Sequence, residues 1–265
     1  YMSRRVKEKT INELEVHKTP FSVDKKDASI PKPLPRTYNH FLLITAKPRS
    51  GKTTLMYSLL TFRKSPYYRK FDKVFIFSPS LATTKDDRLK TIPMEQRYTE
   101  LTLENLEGVY DEVSGTGERI LLLIDDCVND VKKNLGVEKK LAQIAMNRRH
   151  ICGSDDDGEG AGISIWMTTQ VFNKLPRAIR ACADFHIVFK TTNKRELETM
   201  FEEVITIDKD LFAEMIKYVF SGKYDFLLID MNQNSNKMYY KNLNKQLVFP
   251  ELDDEEMVIN SLKTD

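Results

Sequence analysis

Cysteine is scarce: Cys127, Cys152 and Cys182 are the only three in 265 residues. Three thiols build no disulfide framework, and so low a number fits a reduced, intracellular setting. They build no zinc site either, because no second pair at metal-ligand spacing accompanies His150 and Cys152. Long apolar runs are missing as well. None approaches the roughly 18 residues of a membrane span, and the start of the chain does not read as a signal peptide. Charge of one sign is not in excess: the formal net charge is +2, too small to argue for any partner. Its distribution says more. Residues 1–36 hold nine Lys/Arg and five Asp/Glu, whereas residues 250–265 hold one Lys and six Asp/Glu. The basic arm suits nucleic acid, and it suits a solvated terminal segment equally.

What is present is an ordinary soluble mixture, 41% hydrophobic and 30% charged, on a chain long enough for one large domain with extensions. "SIPKPLPR" disfavours regular structure and marks residues 1–38 as an arm leading into that domain. An alternation follows. "HFLLIT", "KVFIFSPS", "RILLLIDD", "GISIWMTTQ" and "FHIVFK" are short apolar runs separated by helical stretches, the first of them from Lys52 to about Arg63. Such runs form a parallel sheet buried on both faces, which binds ligand beyond the carboxyl ends of its strands. "NKRELETMFEEV" and "KDLFAEMIKYVF" read as helices, and "YDFLLID" and "KMYYKN" as late strands. The expected fold is α/β: a mostly parallel sheet of five core strands plus late β additions, flanked by helices. The domain spans 39–248 and an acidic tail 249–265. "GSDDDGEGAG", residues 153–162, reads as a surface loop and lacks the full calcium-loop pattern.

The stretch from Ala46 to Thr53, A-K-P-R-S-G-K-T, departs by one residue from the phosphate loop G-x-x-x-x-G-K-[ST]. Gly51 lets successive backbone N–H groups turn into the loop, and the helix that follows adds the positive end of its dipole. Lys47, Pro48, Arg49, Ser50 and Thr54 complete the cradle. Lys52 is placed to reach the β- and γ-phosphates, and Thr53 to bind Mg²⁺ through its hydroxyl. Ala46 stands where the loop usually opens with glycine. At the exit of a strand, with φ negative, a methyl group there costs little.

"ILLLIDD" delivers Asp125 and Asp126 to the end of a buried strand. Asp125 is placed to hold Mg²⁺ through water, and Asp126 to orient or deprotonate the attacking water. Asp126 is also an N-cap candidate for the segment starting at Cys127. Gln170 ends the fourth run, where an amide can bond both the water and the γ-phosphate; Thr169 is a weaker candidate. "NRRH" offers Arg149, then Arg148, as an arginine supplied to a neighbouring subunit's γ-phosphate, with Arg177 and Arg180 of "LPRAIRACAD" as rivals.

The ordered set "PRSGKTTL", "LLLIDD", "RRH", "ISIWMTTQVFNKLPRAIR", "DFHIVF" and, more loosely, "YDFLLID" resembles the genome-packaging ATPases of nucleocytoplasmic large DNA viruses and their virophage-like relatives. These belong to the FtsK–HerA superfamily of P-loop NTPases of the ASCE type. The resemblance spans about residues 40–230. It implies ATP and Mg²⁺ as cofactors, and a homo-oligomeric ring of five or six subunits threading double-stranded DNA into a capsid. It further implies Arg149 as the trans-acting arginine, and the strand ending in Gln170 between the phosphate-loop strand and the Asp-Asp strand. A capsid or portal-vertex protein is an implied partner, and the host cytoplasm or a viral factory the implied setting. Ala46 and the long acidic loop after "RRH" depart from the family pattern.

DNA contact is the least visible part. "FRKSPYYRKFDK", Phe62–Lys73, interleaves basic and aromatic residues; it reads as a sequence-independent phosphate track or as an exposed helix end with its aromatics packed inward. Two other functions fit a phosphate loop: a P-loop kinase, and a nucleotide-dependent assembly switch.

Overall fold

The computed structural model describes residues 25–82, 92–153, 160–235 and 237–249. The arm's residues 1–24, residues 154–159 of the acidic loop and residues 250–265 of the tail lie outside the described residues. The five apolar runs form β1 (Phe41–Thr45), β2 (Lys73–Phe77), β4 (Arg119–Ile124), β5 (Gly162–Thr169) and β6 (Phe185–Phe189). Two late strands follow at β7 (Phe226–Asp230) and β8 (Tyr239–Lys241). Two two-residue strands, β3 (Arg97–Tyr98) and β9 (Lys245–Gln246), carry no sequence signal and exist only by pairing with a neighbour. The single sheet has the order β3-β2-β4-β5-β1-β6-β7-β8-β9. It is parallel from β3 to β6 and antiparallel beyond. As expected, β5 lies between β4 and β1.

Alternate side chains of a strand face opposite sides of a sheet. Here both sides are apolar, so the runs are continuous rather than alternating. Leu43, Leu122, Ile124, Ile165 and Met167 face one layer. That layer is built from α2 (Leu103–Val113), α3 (Val128–Lys133), α4 (Leu135–Asn147), the single turn α5 (Arg177–Arg180), α6 (Lys194–Val204) and α7 (Lys209–Val219). Leu42, Ile44, Leu121, Leu123 and Trp166 face the other, covered by α1 (Lys52–Leu60) and two segments without helix or strand.

One of those segments is residues 25–38, the described end of the proline-rich stretch. It packs on the domain, with Ile30 and Leu34 buried. The Asp27 carboxylate holds it there, accepting from Tyr38 Oη at 2.5 Å and Lys70 Nζ at 2.9 Å. The other is the "FRKSPYYRKFDK" stretch. Helix α1 stops at Leu60 rather than near Arg63, where the Thr61 hydroxyl and backbone N–H both turn back onto the Tyr57 carbonyl. Tyr67 and Phe71 then bury their rings against Trp166. Lys70 and Lys73 are paired with acids. Tyr67 and Phe71 therefore belong to the core, whereas Phe62 is exposed and Tyr68 half-buried; the exposed cations are Arg63, Lys64 and Arg69.

Two buried histidines tie this core to pH. The Thr37 carbonyl only accepts, so the proton of the His40 ring sits on Nδ1, and Nε2 accepts from Trp166 Nε1 at 2.8 Å. His186 is buried beside Phe172, with no partner for Nδ1. Burial pushes both rings down to about 4 from an ordinary 6.5. Below about pH 6.5 the unfolded chain takes up protons that the folded chain refuses. Folding stability is therefore fully present above that pH and is lost as pH falls toward about 4, by up to about 3 kcal/mol per ring. Melting temperature measured from pH 8 to pH 4 should be level at first and fall below pH 6.5. A level profile down to pH 4 contradicts the neutral, buried assignment.

Candidate active site

The sheet places three loops side by side at the carboxyl edge of β4, β5 and β1. The loop after β1 begins with Ala46, whose N–H continues the ladder by donating to the Thr169 carbonyl at 2.9 Å. Ala46 is buried and is not among the residues with positive φ. A methyl group at the opening position is therefore free of backbone strain and adds to the core. The left-handed positions of the loop are Arg49, φ 64°, and Gly51, φ 93°. Gly51 is the N-cap of α1 and caps with no side chain, so the first N–H groups of α1 are left for a ligand. Lys52 is the first helical residue; Thr53 lies half-buried and Thr54 exposed one and two places on.

The Lys52 ammonium lies 2.8 Å from Asp125 Oδ1 and 2.8 Å from Asp126 Oδ2. Strands β1 and β4 are not neighbours, so this meeting is made across β5. Thr168 of β5 is the piece between them. Its hydroxyl donates to Asp125 Oδ1 at 2.7 Å, accepts from the Asp126 backbone N–H at 3.0 Å, and lies 3.3 Å from Lys52 Nζ. The Gln170 amide donates to Asp126 Oδ1 at 3.3 Å. Asp125 is buried, whereas the Asp126 side chain is 37% exposed. One carboxylate is thus fixed in the interior and the other faces solvent beside the loop. Asp126 adopts φ 61°, an uncommon conformation for a non-glycine residue. It does not cap the following helix: the N-cap of α3 is Cys127, and no side chain bonds there.

Thr168 is the residue that sequence reasoning missed. In "MTTQ" its neighbour Thr169 was the candidate, but Thr169 makes only a local turn, bonding the backbone of Val171. Strand parity was the available signal: Trp166 and Thr168 share a face, and so do Met167 and Thr169. Glu196 was also missed. This buried carboxylate on α6 accepts from the Phe172 N–H at 2.8 Å and from the Thr191 hydroxyl at 2.6 Å. It fixes the segment that follows Gln170 to the end of β6. A helical glutamate gives no sequence sign of being buried.

The arginines lie elsewhere. The Arg148 carbonyl accepts from Ile163 N–H, and its guanidinium grips the Asn39 carbonyl and Asp184 at the amino edge of the sheet. Six residue steps along β5 separate Ile163 from Thr169, a distance of about 20 Å. Arg149, exposed beside Arg148, is out of reach of the site of its own chain. Arg180 is held by Glu203 and the Leu175 carbonyl. The Arg177 side chain is exposed, 3.9 Å from Glu203.

No protein-family model matches the chain, and no curated protein does. Solved structures do. The chain is similar to B204, the DNA-packaging ATPase from Sulfolobus Turreted Icosahedral Virus, with TM-score 0.50 and 19% identity, covering 77% of this chain and 96% of that one. It is also similar to the pCW3 conjugation coupling protein TcpA in its monomer form with ATPgS, with TM-score 0.50 and 12% identity, covering 80% of this chain and 67% of that one. At these identities the likeness establishes the fold alone: the mostly parallel α/β sheet flanked by helices that those P-loop ATPases of the ASCE type have.

The Thr168 hydroxyl is the easiest part of the site to test alone. Thr168→Val keeps the shape and leaves Asp125 Oδ1 and the Asp126 N–H each short of a partner. It should lower stability by about 1–3 kcal/mol in urea unfolding, and Thr168→Ser should restore most of the loss. Equal midpoints for Thr168→Val and the parent contradict the role.

Proposed function

We propose that this protein is an ATP-hydrolysing motor that moves double-stranded DNA, packaging a viral genome into a capsid. The observation that carries the reading is the convergence of Lys52, Asp125, Asp126 and Gln170 beside the Gly51 turn. One ammonium faces two carboxylates, so the cluster has an excess of one negative charge. A triphosphate draws Lys52 toward its β- and γ-oxygens and frees the carboxylates for a cation. Among the described residues no group of three or more His, Cys, Asp or Glu can hold a metal. Mg²⁺ bound by one or two protein oxygens plus phosphates suits such a site, with Thr53 and Asp125 as the protein side of its shell. The ion supplies neutralisation of the phosphate charge. Asp126, more exposed and bonded to Gln170, orients the attacking water and takes its proton. The Gln170 amide favours water over an organic acceptor, which sets hydrolysis ahead of the kinase alternative.

The packaging role rests on the ordered motifs and is supported by the fold shared with B204. A ring of five or six copies accounts for Arg149: it lies too far from the site of its own chain and serves a neighbour's γ-phosphate. The motor is 39–248 together with residues 25–38 and Phe249, which pack on its core, and the setting is the host cytoplasm or a viral factory. Arg63, Lys64 and Arg69 offer cations to a DNA backbone without reading its sequence. If nucleotide binding alone mattered, as in an assembly switch, DNA would not change turnover.

Steady-state ATP hydrolysis should therefore rise with double-stranded DNA and rise steeply with protein concentration. Asp126→Asn should keep ATP binding and lose turnover at least 100-fold. Arg149→Ala should keep binding and lose the concentration-dependent activity, by about 10³-fold. Turnover indifferent to DNA, or an Asp126→Asn variant as active as the parent, overturns the reading.

A further inference from the structure

We propose that Tyr224 is the nucleobase platform of this site, stacking on the base of the nucleotide whose phosphates the Lys52 loop holds. The proposal rests on the nucleotide reading above and adds the other end of the ligand. The sheet order supplies the direction. Asp125 and Asp126 follow β4 and Gln170 follows β5, both on one side of β1. The γ-phosphate and its water belong on that side. The base, at the opposite end of the nucleotide, then leaves across β6 and β7.

On that side, at the same edge of the sheet, one aromatic ring meets the phosphate loop. Strand β7 runs antiparallel to β6, with Phe226 opposite Phe189. The turn before β7 therefore lies at the carboxyl edge of β6. A Cβ placed on Gly51 would lie 3.5 Å from Tyr224 Cδ1, so the ring touches the turn that starts α1. Tyr224 nonetheless stays 56% exposed. A tyrosine that touches the phosphate loop yet leaves this much of itself in solvent has surface to offer a second flat group.

The turn is built to hold it. The Asp225 carboxylate accepts from the Gly222 N–H at 2.7 Å, the Ser221 hydroxyl at 3.3 Å and Asn242 Nδ2 at 3.1 Å, and it pairs with Lys241 Nζ at 3.0 Å. Lys241 is itself buried. These partners tie the turn on either side of Tyr224 to β8 before ligand arrives, which lowers the ordering cost of binding. The Lys223 ammonium lies 5.1 Å from the ring centroid, and Lys47 Nζ bonds Thr192 Oγ1 at 3.2 Å where β1 and β6 end. Stacking has no preference among bases, because each presents a π-face.

Calorimetric titration of the full chain with ATP and with tripolyphosphate, both with Mg²⁺, tests the assignment. Removal of a base–aromatic stack lowers affinity by about 10- to 100-fold. Tyr224→Ala should lose that much for ATP and bind tripolyphosphate as the parent does; Tyr224→Phe should bind ATP normally. Unchanged ATP affinity in Tyr224→Ala overturns the proposal and leaves the phosphate site standing. Equal loss of both ligands also overturns it, because the ring would then only support the loop. If the parent binds neither ligand, the nucleotide reading falls and the proposal with it.

Discussion

A single ammonium shared by two carboxylates organises this molecule. Lys52 begins a helix that covers one face of the sheet, and Asp125 and Asp126 end a strand two places away in the order. Burying such a cluster is costly unless its members satisfy one another. Thr168 supplies the missing hydrogen bonds from the strand between them, and the continuous apolar runs of β1, β4 and β5 hold the three loops at one edge. The rest of the fold serves this alignment. At the opposite edge Arg148 and Asp184 tie the starts of β1, β5 and β6 together, so the carboxyl ends remain in register.

Backbone strain gathers around the same cluster. Arg49 and Asp126 are two of the four non-glycine residues with positive φ among the described residues, and Gly51, two places after Arg49, adopts φ 93°. These conformations aim N–H groups and a carboxylate at one volume, and the packed core sustains their cost. Tyr224 borders the loop from the turn before β7, Gln170 bonds Asp126 from the end of β5, and Glu196 anchors the chain just beyond Gln170. Contacts from both sides of β1 thus reach the phosphate loop.

The apolar runs were legible because strands buried on both faces leave continuous hydrophobic segments, and the position of β5 followed from the resemblance. The late strands β7 and β8 were legible for the same reason. Strands β3 and β9 were not, since two residues carry no period. The meeting of Lys52 with Asp125 and Asp126 was legible from motif order; Thr168 was hidden behind Thr169 because both read as polar residues at a strand tip. The basic–aromatic stretch was ambiguous because composition does not say which side of a ring faces the core. Tyr67 and Phe71 settle inward on Trp166. Glu196 and the Asp225 turn depend on contacts between elements distant in sequence, which no local pattern encodes.

The central claim is that Lys52 belongs to a triphosphate and not merely to its two acids. Binding of MgATP to Lys52→Met, compared with the parent by calorimetry at matched circular dichroism, tests it most directly. The account predicts tight binding by the parent and a loss of at least 100-fold in the variant. A folded Lys52→Met protein that binds MgATP as the parent does would contradict it.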